Sequence, residues 1–211
     1  MKRLFDFTVS GIALALSSPI LFVIAIFVRI TSPGPVLYSG KRVGLQGKIF
    51  NMHKFRTMVV DAEKLGGSCT YEGDPRVTRT GSWLRKFKLD ELPQLFNVLV
   101  GEMSLVGPRP EVQEYVQMFT PEERTILSVR PGITDWASIW DRDEAKALAG
   151  SPDPERTYRE VIRPEKIRLQ LEYVRRRSFL TDLTILLETL RVLVLRPPVQ
   201  MRVRTTGSPE Q

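Results

Sequence analysis

Two adjacent carboxylates, Asp90 and Glu91, follow a dense run of cations, Arg76, Arg79, Arg85, Lys86 and Lys88. Neighbouring residues on a helix point about 100° apart, so these two cannot share one proton as a close pair. They can act separately on one substrate, one as nucleophile and one as metal ligand. Taken alone, an Asp-Glu pair at a helix start is usually a partner for the N-terminal dipole. The cations around it strengthen the case for a phosphate site. Few other residues compete for the chemistry. One cysteine, Cys69, excludes an intrachain disulfide and a thiolate zinc cluster. One histidine, His53, lies in a strand-like run, where packing or hydrogen bonding is the expected role. Thirty-one Lys and Arg against 24 Asp and Glu leave a net charge of +7, which points to anionic partners.

The elements that must position these residues begin with an uncharged run from Phe7 to Val28. A straight helix of that length reaches about 33 Å, enough for a bilayer core of ~30 Å. No small-x-small cleavage site closes the run, which argues against a signal peptide. Ser17-Ser18-Pro19 sits at its middle, and proline removes a backbone donor there, so a bend is expected. A serine hydroxyl just before it can satisfy the freed carbonyl where no water can. Lys2 and Arg3 lie before the run and Arg29, Lys41, Arg42 and Lys48 after it, so both ends are drawn toward the cytoplasm. A re-entrant helix-break-helix over residues 1–32 is therefore favoured over a spanning anchor.

The remainder, with 42% hydrophobic and 26% charged residues overall, reads as a folded domain over 33–196 and a frayed tail over 197–211. Val36–Tyr38 and Lys48–Met52 read as strands around a Gly44–Gly47 turn, and Asp61–Leu65 as helical. Gly66–Pro75 is polar and glycine-rich, a loop. Ser82–Val100 is predicted helical with a break or first turn at Pro93, and helices follow over Glu111–Phe119 and Pro121–Ser128 around an N-cap at Thr120. Pro164–Arg177 is a strongly basic helix, either a solvated back or a dock on anionic lipid. Phe179–Leu195 carries Leu180, Leu183, Leu186, Leu187 and Leu190 on one face. The fold class expected is α+β, helix-rich, with interfacial amphipathic helices.

Three longer motifs narrow this reading. Lys54-Phe-Arg56-Thr-Met58, Leu89-Asp-Glu-Leu-Pro-Gln94 and Gly107-Pro108-Arg109-Pro110 resemble the bacterial sugar transferase family, the monotopic phosphoglycosyl transferases that begin O-antigen, capsule and N-glycan assembly. The likeness runs from Lys2-Arg3 and Asp6 through Ser18-Pro19 to Arg130-Pro-Gly-Ile-Thr134, and resumes at Ser178–Asp182. The chain looks like the family's minimal catalytic form. The resemblance implies a monotopic protein of the inner membrane, with its catalytic domain on the cytoplasmic face. It implies transfer of a sugar-1-phosphate from a UDP-sugar to undecaprenyl (polyprenol) phosphate with release of UMP. This is the first membrane step of a polysaccharide or glycoconjugate pathway. It implies Asp90 as a covalent nucleophile and Glu91 as the Mg²⁺ ligand. Lys54, Arg56, Arg85 and Arg109, with Pro108 and Pro110 beside it, would bind the substrate's phosphates, and Ser18-Pro19 would mark the re-entrant break. The cations are expected to keep Asp90 ionised. Partners are then the two substrates and an anionic bilayer, with no nucleic acid, and monomer or homodimer left open.

One stretch departs from the pattern. Where many relatives continue with Gly-Leu, Gln-Val and Gly-Arg, this chain has Asp135-Trp136-Ala137-Ser138-Ile139-Trp140-Asp141-Arg142 and an acidic run to Pro154. Sugar identity is expected to depend on it. Asp141-Arg142-Asp143 also matches the metal-holding Asp-x-Asp of many nucleotide-sugar glycosyltransferases, without their usual preceding hydrophobic strand. A membrane-attached metal-dependent glycosyltransferase is the alternative.

Overall fold

The computed structural model describes residues 1–65 and 70–195, so the expectations for Cys69 and for the tail from Pro197 lie outside the described residues. Its architecture is α+β and helix-rich. Helix α1 (Lys2–Thr31) leads into an antiparallel hairpin, β1 (Leu37–Val43) and β2 (Ile49–Phe55), with Leu37 opposite Phe55 and Val43 opposite Ile49. Helices α2 (Arg79–Lys86) and α3 (Gln94–Val100) follow, then strand β3 (Ser104–Val106), helix α4 (Gln113–Gln117) and strand β4 (Gly132–Thr134), which pairs parallel to β3. The last described elements are α5 (Trp136–Trp140), α6 (Glu144–Ala149), α7 (Pro154–Thr157), α8 (Arg163–Arg176) and α9 (Phe179–Leu195).

α1 continues through Pro19 as one helix, where the sequence predicts helix-break-helix. The missing amide of Pro19 would have bonded the carbonyl of Ala15. Ser18 Oγ donates to that carbonyl at 2.8 Å instead, as expected of a serine placed there. One face of α1 is docked along nearly its whole length. Phe5, Val9, Ala13 and Leu14 pack on a core built from Phe50, Met52, Leu95, Val98, Met103, Leu105, Val106, Tyr173 and Ile185. Further along, Leu21, Ile24, Ala25 and Val28 pack with Phe55 and Leu84. The spacing is that of a 3.6-residue period, and the other face, from Leu4 and Phe7 to Phe27 and Ile30, is exposed.

Polar anchors fix the N-terminal end of the helix. Lys2 Nζ donates to Asp182 Oδ2 (2.5 Å) and to the Val106 carbonyl (3.0 Å). Arg3 donates to the carbonyls of Val98 and Leu99, at the C-terminal end of α3. Buried Asp6 accepts from Ser104 Oγ (2.9 Å) and the Leu105 amide (3.2 Å).

The predicted hairpin is present and longer than expected, and α9 has the predicted bounds. The predicted leucine face divides: Leu180, Leu183, Leu187 and Leu190 are exposed, Leu186 packs on the core, and Asp182, Ile185 and Val192 are buried. Asp61–Leu65 carries a single tight turn, Ala62–Lys64, and the helix expected over Glu111–Phe119 shrinks to α4. Thr120 caps the next turn as predicted, its hydroxyl accepting from the Glu123 amide while Glu123 reaches back to the Thr120 amide at 2.7 Å. Within Ser82–Val100 the break falls at Phe87–Lys88, before the expected Pro93, which instead caps α3. Lys88 takes a left-handed conformation, φ 57°, which ends one helix and turns the chain into the next. On α8 the charged back is ion-paired: Arg168 bonds Glu165 and Glu172 and Arg176 bonds Glu172 on the helix itself, and Arg175 bonds Glu122 outside it.

Candidate active site

Asp90 and Glu91 sit on a single tight turn, Leu89–Glu91, launched by the left-handed Lys88 and running into α3. α3 is tied to β2 by buried Asn97, whose Oδ1 accepts from the His53 amide (3.0 Å) and whose Nδ2 donates to the Asn51 carbonyl (2.8 Å). That tie sets β2 beside the turn, so Lys54 reaches Glu91 Oε1 at 3.4 Å. The His53 ring instead meets Ser39 Oγ at 2.9 Å on the hairpin, with no contact to either carboxylate.

Arg109 arrives from the other side. Strands β3 and β4 approach so closely that a Cβ on Gly107 would collide with the backbone of Arg130 and Gly132, and one on Gly132 with Gly107. Only glycine fits either position. Gly107 donates to the Thr134 carbonyl and Gly132 to the Pro108 carbonyl, both at 3.0 Å, and this fixes the Pro108-Arg109-Pro110 turn just past β3. From there the Arg109 guanidinium makes a two-pronged contact with Glu91, Nη2 to Oε1 at 2.5 Å and Nη1 to Oε2 at 3.2 Å.

The two carboxylates are therefore in opposite situations. Burial pushes the Glu91 carboxyl up, but the charges of Arg109, Lys54 and Lys88 outweigh it and hold it well below the usual carboxylate range. Asp90 is buried too, and its Oδ1 has no hydrogen-bond partner. Burial first, then the charge of Glu91, raises its carboxyl above the usual value against the pull of Lys54, Lys88 and Arg85. The expected lowering by cations is thus reversed in direction, because desolvation outweighs them. Burial also brings Lys54 down to about 8.

Other residues singled out by sequence divide. Arg85 faces the dyad from α2, with Nε held on Thr57 Oγ1 at 2.8 Å. Arg56 is engaged elsewhere: its guanidinium bonds the carbonyl and hydroxyl of Ser32 at 2.7 Å each and closes the C-terminal end of α1. Asp141 pairs with buried Lys166 at 2.8 Å, and Asp143 pairs with Arg142 at 3.3 Å. Sequence reasoning gave no separate role to Thr57 or Asp74, and placed Asp135 only as the start of the atypical stretch. Buried Asp74 grips Arg76 through Nε and Nη2 and adds its charge near Arg85. The D-P-R spelling of that turn was the available signal.

Among the described residues no group of three acidic, His or Cys side chains forms a closed metal cage. Two carboxylates, one with a buried free oxygen, still suit a hard cation that keeps most of its waters. Asp90 offers that oxygen, while both oxygens of Glu91 are taken by cations.

Comparison with known proteins covers nearly the whole chain. It is 36% identical over 197 residues to the UDP-N-acetylgalactosamine-undecaprenyl-phosphate N-acetylgalactosaminephosphotransferase of Aeromonas hydrophila, covering 92% of this chain and 44% of that protein. It is 38% identical over 198 residues to the UDP-glucose:undecaprenyl-phosphate glucose-1-phosphate transferase of Escherichia coli (strain K12), covering 90% of this chain and 39% of the relative's 

length. The chain thus spans less than half of each of these two proteins. Against the uncharacterized sugar transferase EpsL of Bacillus subtilis (strain 168) it is 38% identical over 208 residues, 98% of this chain and 94% of that one. The family model described as bacterial sugar transferase matches residues 1–196, and on that span the chain belongs to the bacterial sugar transferase family.

Proposed function

We propose that this protein transfers a sugar-1-phosphate from a UDP-sugar to undecaprenyl phosphate and releases UMP, as the membrane step that begins a polysaccharide or glycoconjugate. The observation that carries the reading is the division of labour within the dyad. Glu91 is clamped by Arg109 and Lys54, while the neighbouring Asp90 keeps a buried oxygen without a partner. Asp90 Oδ1 is the nucleophile. It bonds to the β-phosphorus, the bond from that phosphorus to the bridging oxygen breaks, and UMP leaves with the oxygen. A phosphate oxygen of the polyprenol phosphate then attacks the same phosphorus and frees the carboxylate. Arg109, Lys54 and Arg85 neutralise charge on the transferring group and orient it, the main demand of phosphoryl transfer. The resemblance gives Glu91 as the Mg²⁺ ligand; a bound Mg²⁺ would add charge neutralisation there, at the expense of the contacts Glu91 makes with Arg109 and Lys54. Names of relatives that act on undecaprenyl phosphate support the acceptor.

The acceptor's lipid tail requires a site at a membrane. α1 is long and apolar enough to cross one by length and composition, and Trp83, Phe87, Phe96 and four leucines of α9 are exposed as well. Both ends of α1 dock on the same catalytic fold, which favours a re-entrant path from the cytoplasmic side of the inner membrane over a crossing. The alternative enzyme, acting through Asp141 and Asp143, finds those carboxylates committed to Lys166 and Arg142. The test is a screen of UDP-sugars with undecaprenyl phosphate in detergent, following the nucleotide product. UMP supports this reading; UDP would favour the alternative, and neither nucleotide from any donor would sink both.

A further inference from the structure

Asp135 follows Gly132-Ile-Thr134 directly, at the head of the stretch that ends in Pro154. Asp135 is fully buried, and its two carboxylate oxygens serve two different elements. Oδ1 accepts from the Ser138 amide at 2.6 Å and so caps the N-terminus of α5. Oδ2 accepts from the backbone amide of Arg109 at 3.2 Å. The other side of the same residue is held as well, since Gln170 of α8, also buried, donates Nε2 to the Arg109 carbonyl in a longer contact of 3.4 Å. The backbone of Arg109 is thus gripped by side chains from two other elements, while its guanidinium bears on Glu91.

We infer that Asp135 is a positioning residue for Arg109: by bridging the Arg109 and Ser138 amides it joins the Pro108–Pro110 turn to the atypical segment and fixes where the guanidinium acts. The inference rests on the reading of Arg109 as a contact to the nucleotide's phosphates. The physical case is one of alternatives. α5 alone needs only one side-chain acceptor at its N-cap, which serine or asparagine supplies as well as aspartate. A second oxygen aimed at a different chain segment is not required for capping. It constrains the one peptide whose displacement moves a catalytic cation. Misplacement of such a group by ~1 Å costs up to about 100-fold in rate.

Asp135→Ser separates the two duties, because one hydroxyl can keep the cap but cannot bridge both amides. The experiment measures UMP release from UDP-sugar and undecaprenyl phosphate for four proteins in detergent: wild type, Asp135→Ser, Arg109→Met and the double variant. Melting temperature is recorded for each. Expected is a loss of about 10-fold or more in kcat/KM for Asp135→Ser, with little change in melting temperature, and no further loss when the same substitution is made on Arg109→Met. Equal fold-losses in both backgrounds would mean that Asp135 supports the fold generally and would overturn the inference, as would full activity of Asp135→Ser. Should the serine variant not fold, Asp135→Asn is read in the same cycle, since its amide puts an N–H against one of the two backbone donors. Wild-type protein that releases no UMP would overturn the proposed function itself, a result distinct from any pattern among the variants.

Discussion

At the scale of single residues the dyad makes a two-sided prediction about Asp90. Its carboxyl is raised in the folded protein, so the charged form is less favoured there than in the unfolded chain. Replacing it by a neutral amide of the same shape removes a desolvated charge and its repulsion with Glu91. Asp90→Asn is therefore expected to raise the melting temperature slightly, the usual trade at a reactive site. The same variant loses the attacking oxygen, so turnover falls by about 1,000-fold or more. Incubation with UDP-sugar alone should leave one phosphosugar mass on the peptide containing Asp90 in wild type and none in the variant. A strictly ternary kinetic pattern with no adduct in wild type would demote Asp90 to a ligand or base. Glu91→Gln is expected to behave differently. It leaves Arg109 and Lys54 facing a neutral amide, so stability and turnover fall together. Much of this residue scale was legible in advance, because Asp90, Glu91, Lys54, Arg85 and Arg109 meet as their motifs suggested. Arg56 was not, because a cation in a basic motif reads the same whether its guanidinium ends on a phosphate or on the carbonyl of Ser32.

Among elements, the legible ones were those whose period or turn chemistry is local. The β1–β2 hairpin around its glycine turn, α8, and α9 followed from pattern alone, and Thr120 announced its cap. Two features were not local. Lys88 ends α2 in a left-handed conformation that nothing in its side chain announces, so the break was expected at Pro93 instead. The outward leucines of α9 follow from which side Asp182 is pulled inward, by Tyr173 on the preceding helix and by Lys2 at the far end of the sequence. The β3–β4 crossing gives a prediction at this scale. Gly132→Ala drives a methyl into the Gly107 backbone and must displace the Pro108–Pro110 turn. Overpacking against main chain costs about 1–3 kcal/mol, and activity should fall more than this stability loss explains. A variant that keeps wild-type kcat/KM while melting earlier would show that the turn tolerates the shift.

For the whole molecule the decisive question is how α1 meets the bilayer. Its docked stripe runs from Phe5 to Val28, a distance of about 35 Å along a helix and comparable to the full hydrocarbon thickness. If α1 crossed the membrane upright, the hairpin and α2 that pack on its later turns would have to sit inside or beyond the bilayer. Polar groups such as Arg56 and Ser32, buried against each other at that end, would be carried across as well. The cost of charged side chains and open strand edges in hydrocarbon weighs against that arrangement and supports the non-crossing path proposed above. A helix that enters and returns, or lies shallowly, keeps both docked ends and the dyad on one face. Replacing Cys69 by serine and placing single cysteines at Met1 and at Ser32 tests this in intact cells. A membrane-impermeant maleimide is expected to label neither site until the inner membrane is opened, and labelling of one site alone would restore a crossing helix. Converting Ser18 and Pro19 to alanine removes the hydroxyl bonded to the Ala15 carbonyl and restores the backbone amide at position 19, so the middle of α1 gains a regular main-chain hydrogen bond and a more apolar surface. In that variant a fraction of the chains should expose one cysteine to the reagent, with activity lost in proportion. Unchanged protection at both positions would mean that the anchors at Lys2, Arg3, Asp6 and Arg56, rather than the Ser-Pro pair, hold the helix on its side.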